Sequence, residues 1–278
     1  MVLNQQTQES QNSCSIIAVA AGKGGVGKST MTVNLASALV QSGAKVGIID
    51  ADLYGPSMSK MIGEHLRLQI QDEGIIPAQR GNLFFVSLAQ FPLGAEGAFV
   101  RAPIANQIIS DFLEQVVWPK LDFLLIDFPP GTGDIQLTIV QKTSLAGAVL
   151  VTTPQQVALL DVSKALKMFT SMQVPILGLV ENMSYLEIAG QKHFPFGPSK
   201  SLSFCQEHNI CFLGQVPLDP LVSVSADAGD LLMETSATAG VAQSYHQVAK
   251  ALCAQLMRQK KQAPIVAQKL VWTGGTHA

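Results

Sequence analysis

The sequence predicts an α/β fold, a single doubly wound, mostly parallel sheet with helices on both faces. Three observations predict it. Short runs rich in Val, Ile and Leu recur along the chain, and none alternates polar with apolar residues, so both faces of each strand are covered. Segments with helical periodicity lie between these runs, as crossover connections of a parallel sheet require. A glycine-rich loop stands between the first run and the first helix, where a doubly wound sheet places its ligand.

In order, the strand-like runs are SIIAVAA (15–21), KVGIID (45–50), NLFFVSLA (82–89), FLLIDF (123–128), GAVLVTT (147–153), ILGLVEN (176–182) and CFLGQVP (211–217). Helical patterns include STMTVNLASALVQS, PIANQIISDFLEQVV and ALLDVSKALKMFTSM. Near the end, Val241, Tyr245, Val248, Leu252 and Leu256 form one apolar stripe, the mark of a helix docked on the sheet. No internal repeat or linker divides the chain. The expected organisation is a disordered arm over 1–14, one domain over 15–260 and a mobile tail over 261–278. The basic run MRQKKQ before the tail reads as a solvated helix end or a weak anionic contact.

Composition narrows the function classes. With 18 basic and 20 acidic residues the net charge is -2, so no long-range field draws the chain onto nucleic acid, and none is expected as a partner. Charged residues are 14% of the chain, against about a quarter in an ordinary domain, which favours an apolar surface and an oligomer. Four scattered cysteines, Cys14, Cys205, Cys211 and Cys253, fit a reducing cytoplasmic setting better than a disulfide framework. No apolar run approaches the roughly 20 residues of a membrane-spanning helix, and the polar N-terminus lacks the pattern of a signal peptide.

The stretch AGKGGVGKST carries the chemistry. Gly22, Gly27, Lys28 and Ser29 satisfy G-x-x-x-x-G-K-[ST], following a strand and opening a helix. Backbone N–H groups of Gly22, Lys23, Gly24, Gly25, Val26 and Gly27 can curl around phosphate oxygens, and the helix N-terminus adds partial positive charge. Lys28 would reach the β and γ phosphates of ATP, with Ser29 on Mg²⁺ and Thr30 after it also expected to bind the nucleotide. Asp127 ends a run of apolar residues in LLIDFPPGTGD, a position suited to holding Mg²⁺ or to capping the next turn. Asp134 reads as the cap of the following helix. Asp50 and Asp52 close another strand and, two apart, share one side of it.

Lys23 is a second lysine in a loop that needs one. The segment Lys23–Ser29 resembles the K-G-G-x-G-K-[ST] loop of the deviant Walker ATPases, the superfamily of the MinD and ParA proteins. That resemblance implies that Lys23 crosses a homodimer interface to the partner's ATP. It also implies that Asp52 orients or deprotonates the attacking water and contributes to the Mg²⁺ shell. By the same resemblance the N–H of Gly131 senses the γ-phosphate, and Asn182 and Asp219 contact the purine. As isolated residues, the last two are ordinary turn formers.

Longer stretches narrow the match. DADLYGPSMSKMIG, DFPPGTGDIQLTIVQ, AVLVTTPQQVALLDVSKALKMF, ILGLVENMSY and FLGQVPLDPLVSVSADAG are similar to the Mrp/ApbC group of iron-sulfur cluster carrier ATPases. The resemblance implies slow ATP hydrolysis by a homodimer that passes a labile [4Fe–4S] cluster to apoproteins. In that group a C-x-x-C pair follows the ENMSY segment, whereas this chain reads ENMSYLEIAGQKHFPFGPS, without a cysteine. Cys205 and Cys211 lie downstream, either as relocated cluster ligands or as small core residues. His193 reads as a surface side chain. The alternative functions are a membrane- or DNA-positioning switch and an adaptor without a cluster of its own; neither an amphipathic basic helix nor a basic stripe favours the switch.

Overall fold

The structure is a computed structural model and describes residues 14–52, 57–87, 90, 102–131 and 133–262. The expected N-terminal arm up to residue 13, the segment 53–56 after Asp52 and the tail from residue 263 lie outside the described residues.

The first half runs β1 (Ser15–Ala21), α1 (Lys28–Gln41), β2 (Val46–Asp50), α2 (Met58–Ile62), β3 (Gln69–Gln71), β4 (Gly74–Ile76), β5 (Ala78–Arg80), β6 (Leu83–Ser87) and α3 (Ala102–Gln115). There follow β7 (Phe123–Asp127), α4 (Asp134–Lys142), β8 (Gly147–Thr152), α5 (Gln156–Ser171) and β9 (Ile176–Glu181). The last elements are β10 (Leu186–Ile188), β11 (Gln191–His193), α6 (Ser201–Glu207), β12 (Phe212–Gln215), α7 (Pro220–Ala228), α8 (Leu232–Thr235) and α9 (Gly240–Gln262).

Every run read as a strand from its Val, Ile and Leu content becomes a strand of one eight-stranded sheet, in the order β12-β9-β8-β1-β7-β2-β6-β5. All neighbours pair in parallel except β5 and β6, which form an antiparallel hairpin at one edge. The strands β1, β2 and β8 are buried along their whole length, which is why their sequences do not alternate. One core lies under α1, α8 and α9, where Leu35, Leu39, Tyr245, Val248 and Leu252 meet Ile17 and Val149. The other face is filled by Ile109, Phe112, Phe128, Val162 and Phe169. The apolar stripe read near the C-terminus is the buried face of α9, and Met257, Arg258, Lys260 and Lys261 of the basic run are exposed near its end.

Three short pieces were not legible: the antiparallel pairs β3–β4 and β10–β11, and β5. Each strand is three residues long, and β3 and β11 are exposed throughout, so no burial pattern marks them. What the fold does for function follows from parallel pairing. The C-terminal ends of β1, β2, β7, β8 and β9 face the same way, and the loops after them converge on one edge.

Candidate functional site

The loop between β1 and α1 is shaped by its glycines and its neighbours. Gly25 and Gly27 both have φ of 81°, a left-handed conformation that a side chain disfavours. Gly22 meets α5 so closely that a Cβ there would lie 2.1 Å from the backbone carbon of Asp161. Space beside Gly24 and Gly25 is open, so their backbone faces outward where a phosphate could approach. Val26 is buried and pins the loop to the core.

Lys28 leads α1 and is buried with its ammonium 2.7 Å from Oδ2 of Asp127 and 3.9 Å from Oδ2 of Asp52. The hydroxyl of Ser29 donates to the same Asp127 oxygen at 2.6 Å. Asp127 is fully buried, and burial pushes its carboxyl above the ordinary range while Lys28 pulls it back. Asp50 ends β2 beside it in register and accepts from Ser87 at 2.8 Å. Burial, and then the charge of Asp127, raise Asp50 to about 7. One ammonium therefore faces the carboxyls of Asp52 and Asp127, with Asp50 in register beside Asp127, a cluster of oxygens of the kind a hard divalent cation takes. Ser29, Asp52 and Asp127 are the residues here whose oxygens could hold such a cation.

Gly131, in the loop after β7, has φ of 93° and open space beside it, and the amide of Gln136 holds this loop through the carbonyls of Pro129 and Pro130. Lys23 is half-buried; its ammonium lies 3.4 Å from Oε1 of Gln155, whose oxygen also accepts from Thr153. The structure thus brings Lys23, Lys28, Ser29, Asp52, Asp127 and Gly131 to one edge of the sheet.

Other residues fall differently. Asn182 is buried and its Nδ2 donates to the carbonyl of Val26 at 2.9 Å, so the side chain braces the phosphate loop. Asp219 caps α7, accepting from the N–H of Leu221 at 2.9 Å. Thr30 is half-buried, its hydroxyl 3.9 Å from the sulfur of Met61. Cys205 is a core residue of α6 whose thiol lies 4.0 Å from the carbonyl of Cys211, and burial pushes it up to about 12. Cys211 immediately precedes β12, at the end of that strand away from the phosphate loop. Among the described residues no group of three or more His, Cys, Asp or Glu is placed to hold a metal ion. His193 ends β11 on an exposed hairpin, and Asp134 is the first residue of α4 rather than its cap, because Gly133 holds the cap position without a side-chain bond.

Sequence reasoning missed Thr32. Its hydroxyl sits 3.0 Å from the carbonyl of Lys28 and 2.9 Å from Oδ1 of Asp127, tying α1 to β7 beneath the phosphate loop. A hydroxyl one turn past Lys28, on the face that carries Leu35 and Leu39, was the available signal. Gln155 and Gln136 carried no comparable signal, because their partners are set by the tertiary fold.

Among the described residues no helix is long and apolar enough to cross a membrane. The family model of the NUBPL iron-transfer P-loop NTPases, in the ParA group, matches residues 12–253. An iron-sulfur cluster carrier protein of Aquifex aeolicus is 43% identical over 244 residues, 85% of this chain and 66% of that one. A chloroplastic Fe-S cluster assembly factor of Arabidopsis thaliana is 38% identical, and the chain spans 47% of its length. Among solved structures, a nucleotide-binding protein of Archaeoglobus fulgidus in complex with ADP shares 39% identity and a TM-score of 0.69, covering 78% of this chain and 87% of that chain. The septum site-determining protein MinD of Pyrococcus horikoshii, at 22% identity and a TM-score of 0.66, shares the fold; the match covers 91% of this chain and all of that one. The phosphate loop, the strand-end carboxylates and the match along nearly the whole chain place this protein in the family of iron-transfer P-loop NTPases.

Proposed function

We propose that the protein is an ATP-hydrolysing, dimerising iron-sulfur cluster carrier or assembly protein that serves the delivery of clusters to apoproteins. The observation that carries the nucleotide half is the assembled group of Lys28, Ser29, Asp52 and Asp127 at the mouth of the glycine loop. ATP, bringing its own negative charge, draws the Lys28 ammonium from Asp127 to the phosphates. Asp127 and Ser29, with Asp52 nearby, are then free to hold Mg²⁺. Bound there, Mg²⁺ neutralises charge on the phosphate oxygens. Asp52 orients the attacking water and accepts its proton, and the N–H of Gly131 reports the γ-phosphate to the loop that Gln136 holds.

Dimerisation has its own support. Val157 and Leu160 on α5, Leu202 on α6, Leu218 after β12, and Leu221 and Val224 on α7 are exposed at or near the sheet edge that carries the phosphate loop. A second copy covering this rim would bring Lys23 to the partner's nucleotide, once it leaves Gln155.

The cargo half rests on the family and its carrier relatives. The segment 181–199 carries no cysteine and Cys205 is a buried core residue, so on this reading the cluster would draw ligands in part from another chain. The test is ATP-dependent dimerisation and turnover by the full chain, with Lys23→Ala as the discriminating variant. Loss of both supports the reading; normal dimerisation and turnover in that variant would remove the trans role of Lys23.

A further inference from the structure

Glu181, the last residue of β9, is a fully buried carboxylate that the nucleotide chemistry does not use. Among the described residues it has no cationic partner. It accepts instead from the hydroxyls of Ser184 at 2.5 Å, Ser199 and Ser201, and from Nε2 of Gln215 at 3.0 Å. A carboxylate withdrawn from water is costly, and charge-assisted hydrogen bonds offset the cost only when several converge. These donors are not a random set. Ser184 stands at the start of the segment carrying β10 and β11, while Ser199 and Ser201 stand at its end, so one carboxylate ties both ends of an exposed excursion. Residues 187–195 of that excursion are exposed throughout, with the ammonium of Lys192 3.9 Å from the ring of Tyr185.

The adjoining residue makes the second link. Asn182 donates to the Val26 carbonyl, and a Cβ on Gly27 would stand 2.3 Å from its Nδ2, so loop and amide have no slack between them. Met183, next in line, has φ of 54°, an uncommon conformation for a residue with a side chain. Residues 181–184 therefore join the phosphate loop on one side to both ends of the hairpin segment on the other.

We propose that Glu181 is a positioning residue that couples the phosphate loop to the hairpin segment 184–201, so that nucleotide binding changes the order of the hairpin. This rests on the reading that nucleotide site and hairpin serve one function. A shift of the loop at Val26 and Gly27 moves Asn182, and the Glu181 carboxylate passes that shift to Ser184, Ser199 and Ser201. A clasp that served folding alone would leave the hairpin indifferent to nucleotide.

The experiment is amide hydrogen exchange on the full chain with and without Mg²⁺ and a non-hydrolysable ATP analogue, read on peptides covering 186–194, with analogue affinity measured on the same samples. In the wild type the analogue should slow exchange there by at least about fivefold, the lower end of coupling between sites. Glu181→Gln keeps the shape, loses the charge and should cut that response to under about twofold, with affinity unchanged within about threefold. Ser199→Ala, the milder change, should reduce the response by more than half and decides the matter if Glu181→Gln does not fold. A wild type that binds the analogue without a hairpin response, or a response retained at half or more in Ser199→Ala, overturns the coupling. Failure of the wild type to bind the analogue at all would instead overturn the proposed function.

Discussion

Removing the ammonium of Lys28 should destabilise the protein even where no nucleotide is present. Lys28 and Asp127 approach to 2.7 Å with side chains 7% and 0% exposed, so their pairing is little screened by water. Breaking one partner of such a buried pair costs about 3–5 kcal/mol, because the remaining charge is left without compensation. Asp127 keeps the hydroxyls of Ser29 at 2.6 Å and Thr32 at 2.9 Å, which places Lys28→Met at the low end, about 3 kcal/mol. For a domain of this size that lowers Tm by about 6–12 °C. Adding Asp127→Asn removes the stranded charge and should recover more than half of the loss, because the amide still accepts from one hydroxyl. Thermal and urea unfolding of the four proteins in a double-mutant cycle measures this directly. A Tm for Lys28→Met within about 2 °C of wild type, or no recovery in the double variant, would refute the charge-pair reasoning.

Asp52→Asn should bind ATP with Mg²⁺ yet turn it over at least about a hundredfold more slowly, and a steady-state phosphate assay showing unchanged turnover would take Asp52 out of the mechanism. Thr32→Val should lower stability by about 2 kcal/mol in urea unfolding, since it withdraws a hydroxyl from a buried carboxylate; a loss under about 0.5 kcal/mol would show that the contact is idle. Gly22→Ala should abolish nucleotide binding in a titration, because its Cβ would overlap the backbone of Asp161, and retained affinity would mean that α5 can withdraw. Burial raises the Cys205 thiol to about 12, so near pH 8 its reactive thiolate is strongly disfavoured. Cys205 should resist alkylation until the protein unfolds, and rapid labelling of the native protein by mass spectrometry would contradict its place in the core.

Much of the nucleotide site was legible because its signals are local. Lys28 and Ser29 are fixed by the turn into α1, and Asp127 by its place at the end of a buried strand, so a motif of a few residues suffices. Asp50 and Asp127 meet because β2 and β7 are neighbours in register, which parallel pairing made plausible but did not specify. Contacts between distant segments were not legible. Nothing in the sequence says that Asn182 bonds Val26, 156 positions away, or that Lys23 turns toward Gln155. The Glu181 clasp is hidden for the same reason: its donors are serines, which the eye reads as loop residues, and only the closing of the segment brings them to one carboxylate. The exposed hairpins escaped because a strand of three residues without a buried face leaves no periodicity. Sequence alone left Cys205 and Cys211 open between relocated cluster ligands and small core residues, and the structure buries Cys205 in the core.

The central claim, that this nucleotide switch serves iron-sulfur transfer, is tested most directly by following cluster delivery under anaerobic conditions. The full chain, supplied with iron, sulfide and Mg-ATP, is mixed with an apo form of an enzyme that needs a [4Fe–4S] cluster, and the recovered activity of that enzyme is timed. Wild type should accelerate recovery in the presence of ATP, and Lys28→Met should not. Recovery at the same rate with wild type, with Lys28→Met and with no added protein would contradict it.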